Sequence, residues 1–138
     1  MRISISTTIE APLDRVWAAW TTPEDIVRWN FASAEWCCPR AQIDLSPGGR
    51  FSYRMEAKDG SIGFDFEGTF VEIAPRSGIE FKLSDDRRVW VNFSETCGNT
   101  VVLEETFESE DAMSGEQQRQ GWLAILQNFK RHVEGSGT

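Results

Sequence analysis

The sequence predicts an α+β fold in which a twisted antiparallel sheet wraps around a long C-terminal helix. Three observations support this prediction. Apolar and polar residues alternate with a period of two over residues 41–107, and helical spacing returns over residues 114–134. The connections between the predicted strands are short, which favours an antiparallel meander over βαβ units. A helix this long with a single apolar face needs a sheet to cover it.

The N-terminal segment combines one strand with two short helices. Ile5 and Ile9 belong to a run in which apolar and polar residues alternate, as in a half-buried strand. Pro12 suits the first turn of a helix, whose apolar stripe follows at Leu13, Val16, Trp17 and Trp20. Thr22 offers an N-cap hydroxyl directly before a proline, which predicts a second short helix that carries Trp29.

Five turn signals divide the central segment into about six strands joined as hairpins. These signals are Pro47-Gly48-Gly49, Asp59-Gly60, Ser77-Gly78, Asp85-Asp86 and Gly98-Asn99. Phe66 and Phe70 share one phase of the alternation in the longest strand. Val71 and Ile73 belong to the opposite phase, so we expect a bulge or a strong bend near Gly68.

The final helix is predicted from its apolar face, which carries Trp122, Ile125, Leu126, Phe129 and Val133. Ser114 and Gln117 are placed as a capping box at its start. Gly121 costs about 1 kcal/mol relative to Ala inside a helix, so we expect another part of the backbone to approach closely there. Residues 135–138 are predicted to form a frayed tail.

Composition and charge argue against several classes of function. The 138 residues fit a single domain, and the net charge of -8 disfavours nucleic acid and anionic membranes as partners. No apolar run approaches the roughly 20 residues of a membrane span, and no signal-peptide core is present, so we expect a cytoplasmic protein without membrane insertion. Cys37 and Cys38 are adjacent and Cys97 is distant, so we expect reduced thiols.

No pattern in the sequence predicts a cofactor or a metal. His132 is the only histidine, and we expect it in the last turn of the final helix, where the helix dipole favours a cation. The sequence therefore lacks a suitably placed histidine for a Ser-His-Asp mechanism and the several histidines that a multi-histidine metal site requires. The Pro47-Gly48-Gly49 turn matches neither the P-loop nor the dinucleotide-binding pattern.

Six Trp, nine Phe and one Tyr make the predicted core unusually rich in rings. A curved sheet that faces a straight helix leaves space between them, and an aromatic-lined space is a candidate ligand site. A fully packed core is the alternative. Strand parity and helix spacing predict the walls of such a site: Trp29, Tyr53, Phe66, Phe81, Phe93, Trp122 and Leu126.

Glu104 and Glu105 follow each other on a predicted strand, so they must point to opposite faces of the sheet. Glu105 shares its face with Leu103 and Phe107, and we expect it inside an apolar pocket, where burial raises the pKa of a carboxyl group. It is therefore the predicted orienting group for a ligand or, together with Tyr53, a candidate catalytic residue. Two alternatives remain open: a bulge that turns Glu105 to solvent, or an arginine that pairs with it.

Several short segments, taken in order, resemble a known family. They are Ala11-Pro12 before Val16-Trp17, Asp44-Leu45 leading to Pro47-Gly48-Gly49-Arg50-Phe51, Gly68, and Gln120-Gly121-Trp122 through Leu126. Together they resemble the SRPBCC, or START-like, superfamily of helix-grip proteins. Within it, they resemble the group named for the activator of heat-shock-protein-ninety ATPase, which is often grouped with polyketide cyclase-like proteins. The resemblance covers about residues 1 to 134.

The resemblance implies a seven-stranded antiparallel sheet that grips the C-terminal helix, with a deep hydrophobic cavity opening near the two short helices. It does not imply one activity, because members of the superfamily bind lipids, hormones and polyketides, and a few catalyse cyclisation or hydrolysis. The co-chaperones of the group carry a further N-terminal domain that contacts the chaperone. We expect no room for such a domain in this chain, which disfavours a chaperone contact.

Three functions are consistent with these observations. The first is the binding of a small apolar or aromatic molecule in the cavity. The second is an enzyme with Glu105 as general acid or base and Tyr53 as donor to a developing oxyanion. The third is an interaction module, either a homodimer or a chaperone regulator. Trp90 motivates this third function, because it is out of phase with Val89 and Val91 and should face away from the core.

Overall fold

A computed structural model of the chain describes residues 2–96, 98–109 and 112–136, apart from the side chains at 112, 113 and 136. These residues confirm the predicted α+β fold, with a seven-stranded antiparallel sheet, two short helices after the first strand and a long final helix. The prediction for Cys97 lies outside them. The elements are β1 (Arg2–Ile9), α1 (Leu13–Thr21), α2 (Pro23–Trp29), β2 (Trp36–Ile43), β3 (Arg50–Ala57), β4 (Gly63–Ala74), β5 (Gly78–Leu83), β6 (Arg88–Glu95), β7 (Val101–Glu108) and α3 (Ala112–Ser136).

The strands lie in the order β1-β7-β6-β5-β4-β3-β2, so a continuous meander runs from β2 to β7 and β1 joins it beside β7. The predicted turn signals fall between or at the ends of these strands. The strand β2 begins at Trp36, before the predicted start at Ala41, and its register shifts between Cys37 and Arg40, around Pro39. A proline is tolerated there because β2 is an edge strand and the missing N–H leaves no ladder bond unmade.

The bend predicted in the longest strand takes the form of a bulge beside a close contact. The register between β4 and β5 shifts between Phe70 and Glu72, which turns Val71 outward and returns Ile73 to the side of Ile79. Gly68 lies just before the bulge. A Cβ atom at Gly68 would lie 2.7 Å from ring carbons of Phe51, so only glycine lets that ring approach the strand without a shift.

The helix termini differ in detail from the prediction. Thr22 is the N-cap residue of α2, but its side chain makes no capping hydrogen bond. The helix α3 begins at Ala112, so Ser114 lies inside the first turn and the predicted capping box is wrong. It extends to Ser136, two residues into the predicted tail. Apart from its own helix, no described residue has a heavy atom within 4 Å of the position of a Cβ atom at Gly121, so the expected close approach is wrong as well.

Aromatic contacts fasten the two short helices to α3. The indole N–H of Trp29 donates to the Ala19 carbonyl oxygen at 2.9 Å, which ties α2 to α1 inside the core. Trp20 stacks on Trp29 with ring centroids 4.9 Å apart, and the Phe129 ring of α3 meets both rings at steep angles. The Asn128 side-chain amide also donates to the Trp29 carbonyl oxygen at 2.9 Å. The position of α1 and α2 is therefore fixed relative to α3.

A polar contact reinforces this junction. His132 lies one turn before the end of α3, and its Nε2 is 2.8 Å from Oδ1 of Asp25 in α2. Arg15 of α1 approaches the same oxygen at 3.4 Å. His132 therefore contacts a partner in another helix and lies four residues before the end of α3, close to the predicted last turn. None of the helices in the described part of the chain is both long enough and apolar enough to cross a bilayer.

We predict opposite effects on stability from the same substitution at two glycines. Gly68→Ala should lower the free energy of unfolding by roughly 1–3 kcal/mol, because the added methyl group overpacks the contact with Phe51. Gly121→Ala should raise it by about 1 kcal/mol, because the site is open and alanine favours a helix. Urea denaturation of both variants measures the two values. Equal changes of one sign would contradict the packing described for Gly68.

Candidate functional site

A cavity of about 160 Å³ lies between the sheet and the helices. The helix α3 packs most extensively on β1 at one edge of the sheet, with smaller contacts to α1 and α2. The middle strands curve away from it and enclose the space. Phe64 both lines the cavity and exposes 48% of its surface, so the cavity reaches solvent beside the β3–β4 hairpin. The lining residues are Trp20, Trp29, Asn30, Ile43, Phe51, Tyr53, Met55, Phe64, Phe66, Phe70, Ile79, Phe81, Glu105, Trp122 and Ile125.

Six of the residues predicted to surround a ligand line this cavity: Trp29, Tyr53, Phe66, Phe81, Glu105 and Trp122. The side chain of Trp122 stacks on Phe107 at a centroid distance of 4.3 Å, which holds its ring against the sheet. Phe66 meets the same indole edge-on at 6.2 Å. The cavity wall on this side is therefore built from rings that support one another.

Phe93 and Leu126 do not line the cavity, which corrects their predicted place in its wall. Phe93 is covered by α1, with its ring centroid 5.2 Å from that of Trp17. Leu126 is 1% exposed and lies in the packed core. Successive helix residues are separated by about 100°, so Ile125 faces the cavity while Leu126 turns away from it.

Among the described residues that line the cavity, Glu105 is the one with a carboxyl group. It lies on β7 opposite Ile5 of β1 and Val91 of β6, in a regular register without a bulge, and only 7% of its surface is exposed. Glu104, its neighbour, is exposed on the other face. Burial raises the pKa of Glu105 to about 8, with no contribution from a cation among the described residues. Both alternatives, a bulge and a paired arginine, are therefore wrong for the described part of the chain.

Among the described lining residues, Tyr53 and Asn30 also carry a hydroxyl and an amide group. Burial raises the pKa of the Tyr53 phenol, and the nearby Cys38 raises it further, so the hydroxyl stays protonated at neutral pH. Burial also raises the pKa of the Cys38 thiol to about 11, although a hydrogen bond with Asn30 opposes the shift. A thiol with such a pKa is not a nucleophile at neutral pH. The described cavity wall thus offers a neutral hydroxyl and a neutral amide group besides the carboxyl group.

Sequence reasoning missed Asn30 and several apolar wall residues. Asn30 follows the last residue of α2, where a polar residue is ordinary, and no local pattern indicates that it turns inward. Strand parity contained the signal for Phe51 and Met55, which alternate with Arg50, Ser52 and Arg54 on the strand that carries Tyr53.

The outer face of the sheet carries Trp90, as predicted. Its neighbours Val89 and Val91 are fully buried on the other face. The guanidinium carbon of Arg2 lies 4.4 Å from the centroid of the Trp90 ring, so a cation–π contact partly covers the indole. No group of three metal-ligating side chains occurs among the residues that the structure describes.

The chain matches one protein-family model and several solved structures. Residues 10–134 match the family model described as "Activator of Hsp90 ATPase homolog 1-like protein". The AHSA1-like protein from Aeromonas hydrophila is 45% identical with a TM-score of 0.91, covering 99% of this chain and 94% of that one. A protein from Cytophaga hutchinsonii is 40% identical with a TM-score of 0.82, covering 97% and 92%. No curated protein matches the chain significantly.

A protein from Nitrosomonas europaea is only 16% identical but has a TM-score of 0.83, covering 98% of this chain and 95% of that one. At this identity the likeness concerns the fold alone. The same sheet and helix arrangement is therefore compatible with very different sequences.

We predict that Glu105 makes the protein less stable as the pH rises. Its pKa is about 8 in the folded chain, whereas a carboxyl group of the unfolded chain titrates near 4.5. The unfolded chain therefore binds fewer protons over this interval, and stability falls with rising pH by up to about 1.4 kcal/mol per pH unit. Glu105→Gln removes this loss, so its stability relative to the original protein should rise between pH 5 and pH 8. Urea unfolding at both pH values measures the difference.

Glu104→Gln is the matched control, because Glu104 lies in solvent on the opposite face of the same strand. It should leave the pH dependence of unfolding nearly unchanged. If Glu105→Gln and Glu104→Gln changed the pH dependence equally, the burial of Glu105 would not be its source.

Proposed function

Because this chain belongs to the activator of Hsp90 ATPase homolog 1-like family of helix-grip proteins, in which ligand binding is common, we propose that it binds a small apolar or aromatic molecule between the sheet and α3. The observation that carries the proposal is the cavity of about 160 Å³ with walls built mainly from aromatic side chains. Protein interiors are normally closely packed, so a space of this size is unusual and favours a ligand-binding role.

The size of the space limits the ligand. An apolar cavity of about 150 Å³ in another protein accommodates benzene. The ligand that fits here is therefore built around one ring or an aliphatic group of similar volume. Trp29, Tyr53, Phe66, Phe81 and Trp122 supply apolar contact area, and Glu105 orients the polar end of the ligand.

A proton-transfer enzyme in the same cavity is a second candidate, favoured by one observation. A carboxyl group with a pKa of about 8 is suited to donate or accept a proton near neutral pH. Tyr53 supplies a neutral hydroxyl donor in the same space. Under this reading, a compound that the protein converts should lose nearly all turnover in Glu105→Gln while still binding.

Toluene tests the binding proposal directly. We expect it to bind with a dissociation constant of roughly 1 mM or lower, since a ligand of seven heavy atoms can gain that much from contact with an apolar wall. Ile125→Trp and Ile43→Trp fill the cavity from the helix side and the sheet side, and each should weaken toluene binding at least tenfold. Amide NMR titration of the three proteins measures the affinities and shows that the variants are folded.

Val71→Trp is the control, because Val71 is 40% exposed at the bulge and does not line the cavity. It should bind toluene like the original protein. Unchanged toluene binding in both folded, cavity-filled variants would place the toluene site elsewhere, and an absence of any binding to the original protein would refute the proposal.

A further inference from the structure

The carboxyl group of Glu105 has no hydrogen-bond or ion-pair partner in the described part of the protein. Its cross-strand neighbours, Ile5 and Val91, are apolar and buried. No buried side-chain oxygen or nitrogen among the described residues is left without a hydrogen bond, so the carboxylate oxygens are not sealed in the core but border the cavity. An apolar side chain would suit this position better if packing were its only role. The missing partner is therefore expected to arrive with the ligand.

The remaining walls favour positive charge. The faces of aromatic rings carry partial negative charge and attract cations, as in the aromatic cages that recognise ammonium groups. The lining residues within the described chain include no lysine, arginine or histidine that would repel a cation. The net charge of -8 adds a field that attracts cations from solution. The aromatic wall, the absence of cationic side chains among the described lining residues and the acidic net charge thus all favour a positively charged ligand.

We propose that the ligand is a small organic cation, with an ammonium group against the Glu105 carboxylate and one ring or aliphatic group among the aromatic side chains. This inference rests on the proposed function, because it names the chemical class that the cavity binds. A neutral ligand with a hydrogen-bond acceptor does not require Glu105, since Tyr53 and Asn30 already offer neutral donors in the same wall. A buried ammonium group needs a negative partner, and Glu105, which gives up its proton when the cation binds, is the only acidic side chain among the described lining residues.

Benzylammonium and ethylbenzene form the test pair, because they share shape and differ in charge: an NH₃⁺ group replaces a CH₃ group. Amide NMR titration at pH 7.5 measures both affinities. We expect benzylammonium to bind at least tenfold more tightly than ethylbenzene. Glu105→Gln should weaken benzylammonium binding at least tenfold and change ethylbenzene binding less than threefold. The exposed neighbour serves as control, since Glu104→Gln should change neither affinity.

Two outcomes overturn the inference while the cavity remains a binding site. The first is ethylbenzene binding as tightly as benzylammonium or more tightly. The second is benzylammonium binding that Glu105→Gln leaves unchanged, which would place the cation on the acidic surface. A third outcome, in which neither compound nor toluene binds, overturns the proposed function together with the inference.

Discussion

The burial of the apolar face of α3 inside a curved sheet is the constraint on which the rest of the structure depends. Leu126, Phe129 and Val133 are almost completely removed from water, and each such side chain contributes about 1.5–3 kcal/mol relative to exposure. Phe129 also packs against Trp20 and Trp29, so the same face of α3 fixes the two short helices. The helix therefore defines one end of the core, and the sheet must bend around it.

Because the sheet bends, its middle strands and α3 do not pack closely against each other, and a cavity remains between them. The helix α3 lies closest to β1, at the edge of the sheet, whereas β3, β4 and β5 supply much of the cavity wall. Gly68 and the bulge after Phe70 let β4 curve, and the Phe51 ring fills the room that a side chain at Gly68 would need. Ring-to-ring contacts join the aromatic side chains of the wall to one another.

Glu105 links this architecture to chemistry. The regular alternation of β7 points it into the apolar interior, and burial without a nearby cation among the described residues raises the pKa of its carboxyl group to about 8. Keeping such a group is unfavourable for stability, and residues that lower stability are often retained for function. The site thus consists of an aromatic enclosure with one carboxyl group in its wall.

Much of this structure could be predicted from local patterns. The strands, turns and helices follow from periodicity and turn residues, and the inward direction of Glu105 follows from the parity of one unbulged strand. Bulges and helix ends were predicted less well. The start of β2 was not predicted, because Pro39 interrupts its strand pattern. Ser114 was predicted as part of a helix cap, although α3 begins at Ala112. Such features depend on hydrogen bonds with distant strands and on neighbouring turns.

The sequence by itself determined the fold class and the chemistry available to the interior, because both depend on neighbours along the chain. Only the tertiary structure decided that a cavity exists, how large it is and which side chains reach it. Ile125 borders the space and Leu126 does not, and Asn30 turns inward from a loop. These outcomes depend on distances between elements far apart in sequence, which the curvature of the sheet sets and no local period records.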